Sequence, residues 1–296
     1  MKISILLPYK ENFSSKYAGA VSLFVKDTTI CSKFKNSINI FGYTQYKSKL
    51  LSNYINLNIK KSVLQSNSKI YVDKFLEYEK NESSDLIEIH NRPNYVKLLF
   101  ENSSAKLVLY FHNDPLTMNG SKYLNERKEL FNKTYKLVFN SKWSRDRFLQ
   151  GFNINDVEMN KLTVIYQSAK KVKIDFNKKK NIISFVGKLN SAKGYDLFGT
   201  AIVKILDKYK NWKSIVIGDE PREKLIFHHK NLKILGFKTH KFVLKNLSTA
   251  SISVVCSRWD EPFGRTSLEA SSRGCALIIS NRGGLPETSK HALVLK

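Results

Sequence analysis

Two carboxylates stand eight positions apart in the stretch 257–270, Ser-Arg-Trp-Asp-Glu-Pro-Phe-Gly-Arg-Thr-Ser-Leu-Glu-Ala. Glu261 sits in a segment held by Pro262 and Gly264, and Glu269 in the helix-compatible run that follows. Eight residues make a little over two helical turns. A helix that begins between them turns Glu269 to the side of the loop that carries Glu261, and acceptors so placed suit sugar or ribose hydroxyls. A lone Glu in a helix is more often simply solvated. Upstream lies a glycine-bounded segment, Gly187-Lys188-Leu189-Asn190-Ser191-Ala192-Lys193-Gly194. Where such a loop opens a helix, its backbone N–H groups and two lysines suit a phosphate or diphosphate. An ordinary strand-to-helix turn with solvated lysines has the same composition. The loop is neither a Walker A sequence nor a G-x-G-x-x-G, so nucleotide hydrolysis and dinucleotide binding lose support. Downstream, Asn281-Arg282-Gly283-Gly284-Leu285-Pro286-Glu287 pairs two glycines, which either let backbone approach a ligand closely or make a flexible turn.

These segments need strands and helices to hold them. In the first half, short apolar runs at Ile3–Pro8, Ile38–Tyr43, Asp85–His90, Lys106–His112 and Leu137–Asn140 read as parallel strands covered on both faces. Tyr123–Thr134 and Ser141–Gln150 have helical spacing, the latter between an N-cap serine and Gly151. In the second half, strands are predicted at Ile182–Val186, Lys213–Ile217, Leu232–Leu235, Ile252–Cys256, Ala276–Ile279 and Ala292–Leu295, and helices at Tyr195–Lys208, Phe242–Ala250 and Thr266–Arg273. Two such series predict an α/β protein of two Rossmann-like domains, residues 1–168 and 181–296, joined by a polar, lysine-rich linker at 169–180. Ligands of doubly wound sheets sit beyond the C-terminal ends of the strands. That rule singles out His90-Asn91-Arg92-Pro93 after the third strand and His112-Asn113-Asp114 after the fourth. His228-His229 lies in a polar stretch with no third ligand nearby and reads as a solvated pair.

The 296 residues suit two domains, and 42% hydrophobic content excludes a disordered chain despite a formal net charge of +25. Three scattered cysteines, Cys31, Cys256 and Cys275, exclude a disulfide framework and a CxxC-type zinc site. The opening MKISILLPYKEN is too short for a signal-peptide core or a membrane span, so a cytoplasmic protein is expected. The charge reads either as an anionic partner or as compositional drift toward lysine. The lysines are dispersed without interleaved aromatics, which disfavours nucleic acid.

Together the three loop segments resemble the retaining glycosyltransferases of family 4, whose GT-B architecture sets two Rossmann-like domains facing a central cleft. GKLxxxKG is similar to that family's G(R/K)LxxxKG loop, EPFGxxxxEA to its E-x7-E motif and RGGLPE to its GG(L/I)PE loop. The resemblance implies that Glu261 and, at the end of its strand, His112 meet the donor sugar at the reaction centre. It implies that Glu269 holds the ribose, that Lys188 and Lys193 neutralise the diphosphate, and that backbone around Phe263, Gly264, Arg265, Gly283 and Gly284 approaches the donor. Gly19, His90 and Arg92 fall on the acceptor side. Lys188 keeps charge where many relatives have Arg but loses the bidentate fork, and only Gly19 remains where relatives have paired glycines.

The implied partners are a nucleotide-sugar donor and a glycan or lipid-linked acceptor of cell-surface polysaccharide or lipopolysaccharide synthesis. Peripheral contact with anionic membrane is expected and nucleic acid is not. With no DxD motif in the sequence, neither a metal nor another cofactor is expected. Relatives usually continue past this point with further helices, so a C-terminal tail missing from 181–296 is expected. That leaves a truncated or inactive protein, or a module binding anionic polymer, as the alternatives.

Overall fold

Strand β1 (Ile3–Leu6) buries all four of its residues. A strand apolar on both faces is stable only inside a sheet that is covered on two sides. The computed structural model, which describes residues 1–59 and 65–295, shows that arrangement twice. The chain divides into two units, Met1–Tyr166 and Gln167–Lys296.

The first unit continues with α1 (Ala20–Cys31), β2 (Ile38–Gly42), β3 (Tyr54–Asn56), α2 (Asn67–Glu82), β4 (Leu86–His90), α3 (Val96–Asn102), β5 (Lys106–Phe111), α4 (Leu124–Lys133), β6 (Lys136–Phe139), α5 (Lys142–Phe148) and β7 (Leu162–Val164). Its seven strands run in the order β3-β2-β1-β4-β5-β6-β7, every neighbouring pair parallel. Alternate residues of β1 serve opposite faces, as a strand's period of two requires. Ile3 and Ile5 pack with Phe24 and Val25 of α1, whereas Leu6 joins Phe41, Ile89 and Leu109 against Tyr71 and Phe75 of α2. Ser141 caps α5 by accepting from Ser144 N at 2.9 Å, as its sequence implies.

The second unit holds β8 (Lys180–Val186), α6 (Tyr195–Lys208), β9 (Lys213–Ile217), β10 (Leu232–Ile234), α7 (His240–Thr249), β11 (Ala250–Val255), α8 (Arg265–Ser272), β12 (Ala276–Ser280) and β13 (Leu293–Leu295). Six parallel strands are ordered β10-β9-β8-β11-β12-β13. One face packs under α7 and α8 through Leu247, Ala270, Leu277 and Ile279, the other under α6 through Phe198, Ile202 and Phe185. The lysine-rich stretch 169–180 lies within this unit, where Lys179 Nζ donates to the carbonyls of Leu247 and Ala250 at 3.1 and 2.6 Å. Helix α7 begins two residues before the stretch predicted for it, at His240.

In each sheet the strand order reverses beside the unit's first strand, between β1 and β4 and between β8 and β11. Those two reversals are the switch points where doubly wound sheets open toward ligands. No helix among the described residues is long and apolar enough to cross a membrane.

Candidate functional site

The loops after β8 and β11 are laced together by backbone. Gly194 closes the first loop with φ 71°, and a Cβ there would stand 1.9 Å from the Cys256 carbonyl oxygen. Only glycine combines that conformation with that approach. The amides of Arg258 and Trp259 donate to the Ala192 carbonyl at 3.0 and 3.2 Å. The lacing brings Lys193 Nζ to 2.6 Å from Glu261 Oε1, across 68 residues of sequence. Ser257 Oγ donates to the same oxygen at 2.6 Å. Glu261 is 8% exposed. Its backbone is braced by the paired glycines: Gly284 N donates to the Glu261 carbonyl at 2.6 Å. At Gly283, φ is 60° and a Cβ would stand 2.3 Å from that same oxygen. All three sequence segments therefore meet around Glu261.

Glu269 lies on α8 and faces α7. Its Oε1 accepts from His240 Nε2 at 2.8 Å and from Arg265 Nε at 2.7 Å. Burial pushes this carboxyl up, but the hydrogen bond from His240 and the charge of Arg265 outweigh it and leave the group below the usual carboxylate range. His240 has no motif to announce it; it reaches the site because α7 packs on α8. A second residue that no motif flags is Glu223, whose carboxylate accepts from Ser191 N at 3.1 Å within the glycine-bounded loop. Of the other residues singled out, Phe263 is buried, Gly264 stands at the N-terminus of α8, and Lys188 is exposed with no ion pair among the described residues.

The strand ends of the first unit are built differently. His90 Nδ1 and His112 Nε2 lie 2.9 Å apart, and the rings stack with centroids 5.2 Å apart. Tyr110 also stacks on His90, with centroids 4.6 Å apart, and Glu88 Oε2 is 3.5 Å from His90 Nε2. Both histidines are buried, at 1% and 8% exposure. Burial, with the neighbouring His90, holds the His112 imidazole well below its usual range, so it is neutral. Among the described residues, His112 Nδ1 is buried without a hydrogen-bond partner.

Asn91, at φ 56°, ties the two strand ends together by accepting from the amides of His112 and Asn113 at 3.2 and 3.1 Å. Arg92 donates to the Asn91 carbonyl and lines a cavity of about 250 Å³ with Ser68, Asn113 and Asn119. Gly19 is the N-cap of α1, where the Glu11 carboxylate accepts from Ser22 N at 3.0 Å. Among the described residues no three His, Cys, Asp or Glu cluster to hold a metal ion. His229 is not a solvated residue: its Nδ1 accepts from Asn231 N at 3.0 Å and its ring is largely buried.

The family described as glycosyl transferases group 1 matches residues 167–294, which is the unit that carries the three meeting segments. The second unit is similar to that family over almost its whole length. YtcC of Bacillus subtilis (strain 168), which bears a glycosyltransferase name, is 27% identical over 239 residues, covering 71% of this chain and 58% of its own length. The 2-deoxystreptamine N-acetyl-D-glucosaminyltransferase of Niallia circulans is 29% identical over 119 residues, 38% of this chain and 30% of its own. The chain thus spans little more than half, or about a third, of these relatives.

Among solved structures, HepE of Anabaena in complex with UDP and glucose superposes with a TM-score of 0.71 at 15% identity, over 100% of this chain and 86% of HepE. Sucrose-phosphate synthase of Thermosynechococcus elongatus gives 0.74 at 15% identity with the same coverage. At such identity the likeness speaks for fold: two parallel-sheet α/β units of the GT-B class, as the sequence predicts. The second unit also carries an apolar cavity of about 660 Å³ along α6, lined by Ile202, Ile205, Ile252 and Val254; none of the lysines or carboxylates of the meeting loops lines it.

Proposed function

We propose that the protein is a retaining glycosyltransferase that moves a sugar from a nucleotide-diphosphate sugar to a glycan or lipid-linked acceptor, in cell-surface polysaccharide or lipopolysaccharide synthesis. The observation that carries this reading is the contact between Lys193 and Glu261 at the switch point of the second unit. It sets a cation for a diphosphate beside an acceptor for sugar hydroxyls. Lys188 and Lys193 meet the charge that develops on the leaving diphosphate, a task for which no metal or other cofactor is required in this reading. Glu269, kept ionised by His240 and Arg265, accepts from the ribose hydroxyls. In the first unit, His112 meets the donor sugar in this reading, and Gly19, His90 and Arg92 serve the acceptor.

The acceptor oxygen bonds to the anomeric carbon as the bond from that carbon to the phosphate oxygen breaks. Both events take place on one face, and the acceptor's proton passes to the departing phosphate oxygen, so configuration is retained without a protein base. The two carboxylates bind rather than act as a glycosidase's acid and nucleophile. The enzyme works in the cytoplasm, and its excess lysines favour peripheral contact with anionic membrane, where lipid-linked acceptors reside.

A thermal-shift screen with UDP-, GDP- and ADP-sugars tests the donor site. A donor at a hundred times its Kd adds about 2.7 kcal/mol of stability and raises Tm by a few degrees, whereas no shift with any donor overturns the assignment. Glu261→Ala is expected to abolish transfer while the protein stays folded. Turnover like that of the wild type would remove Glu261 from the site.

A further inference from the structure

Lys193 and Glu261 are each other's ionic partners, and they differ in how far water reaches them. The Lys193 side chain is 30% exposed and the Glu261 side chain 11%. An incoming anion can therefore approach the lysine directly, but the carboxylate cannot exchange its cation for bulk water. A largely buried carboxylate stripped of its cation is costly unless new donors reach it. Without Lys193, Glu261 retains one side-chain donor among the described residues, the hydroxyl of Ser257. A diphosphate that draws Lys193 toward itself brings only acceptor oxygens and leaves that deficit in place. A diphosphate esterified to a sugar brings hydroxyl donors to the same spot and removes it.

We infer that the Lys193–Glu261 contact is an exchange pair that makes the site favour a nucleotide-diphosphate sugar over the bare nucleotide diphosphate, and so promotes release of the spent donor. This rests on the donor-site reading above. In that reading the ribose hydroxyls of both ligands face Glu269, so they do not serve Glu261 and cannot cancel the difference. The anion exchanges Lys193 away from Glu261, and the sugar then satisfies Glu261. Once the sugar has left with the acceptor, Glu261 competes for Lys193 again and loosens the diphosphate. The pair thus acts on specificity between substrate and product, beyond holding either one.

The test is calorimetric titration of the full chain with three probe pairs: UDP and UDP-glucose, GDP and GDP-mannose, ADP and ADP-glucose. For the pair that binds, wild-type protein should prefer the sugar form. Glu261→Gln keeps the shape and the Ser257 contact but cannot hold the lysine as an ion. It should tighten the bare diphosphate several-fold, up to roughly tenfold, about 1.4 kcal/mol, while weakening the sugar form, so that the preference collapses. Lys193→Gln breaks the pair from the other side. It should weaken both forms by removing the diphosphate's cation, while Glu261, left to the sugar hydroxyls, keeps the sugar form preferred. Thermal melts establish that each variant is folded, and only Glu261→Gln should tighten the bare diphosphate and collapse the preference. Binding by wild type with a preference that neither variant changes overturns the exchange pair alone. Binding by no probe removes the donor-site reading and takes the exchange pair with it.

Discussion

In the first unit the loops after β4 and β5 close on themselves: two imidazoles and a phenol stack, and Asn91 pins the backbone beneath them. In the second unit the loops after β8 and β11 close on charge, with Lys193 against Glu261 and, one helix away, His240 and Arg265 against Glu269. Both units use parallel sheets with a reversal of order beside their first strand. What differs is the residue types delivered to equivalent places, and with them the solvent access of the charged groups. A common sheet plan thus yields one end built for rigidity and neutral contact and another built to trade ionic partners.

The largest expected contrast is in backbone tolerance. Gly194 has φ 71°, and a Cβ on it would meet a backbone carbonyl oxygen at 1.9 Å. Gly19 also precedes the helix after its unit's first strand, but its φ is −82° and a Cβ there would meet only the end of the Glu11 side chain, at 2.5 Å. Gly194→Ala is expected to cost about 3 kcal/mol or more, because left-handed strain adds to a carbonyl clash that no side-chain motion relieves. Gly19→Ala should cost about 1 kcal/mol, the cap on Ser22 N that is lost when Glu11 swings aside. Urea unfolding of the two variants measures this, and equal losses would erase the distinction between the two strand-to-helix loops.

Acid response should separate the units next. His112 has its imidazole held well below the usual 6.5, so the unfolded chain takes up a proton that the folded unit refuses. That contribution to stability is present above pH 6.5 and is lost as pH falls below it, by up to about 1.4 kcal/mol per pH unit. Glu269 is shifted down from its usual 4.5. Its contribution is present above 4.5 and is lost only as pH falls through the lower folded value. Between pH 6.5 and 4.5 the first unit should therefore loosen while Glu269 leaves the second unchanged. Hydrogen exchange resolved by peptide shows this, and His112→Asn should flatten the slope in the first unit. An unaltered slope in that variant would take His112 out of the account.

Much of this was readable from sequence where the signal is local. The buried strands β1, β4, β5 and β8 announce themselves as unbroken apolar runs, and the spacing of Glu261 and Glu269 survives because a loop and one helix carry both. Strands β3 and β7 escaped because Asn56 and Thr163 break their three-residue apolar runs and no glycine closes them, whereas the equally short β10 is followed by Gly236 and β13 is wholly apolar. Helices α1 and α2 escaped because polar positions blur their apolar faces. The ionic partners were hidden for another reason. Lys193 meets Glu261 across 68 residues and His240 meets Glu269 across 29, so only the order of strands in the sheet decides those meetings. The buried fate of His90 was equally invisible, because being at a strand end does not tell which way a ring packs.

The smallest effect sharpens the comparison inside the charged loop itself. Lys188 and Lys193 flank one turn, yet Lys193 is engaged by Glu261 whereas Lys188 is exposed with no ion pair among the described residues. A solvated lysine contributes little to folding, so Lys188→Ala should change stability by less than about 0.5 kcal/mol. If the loop receives a diphosphate, the same variant should still weaken donor binding several-fold, because the charge it removes acts only when the anion arrives. Lys188→Arg should then restore binding or improve on it, since a guanidinium can grip phosphate oxygens two at a time. Melting curves and donor titrations on the same samples measure both quantities. Donor affinity that is indifferent to Lys188 would leave Lys193 as the sole cation of the loop with a task at the diphosphate.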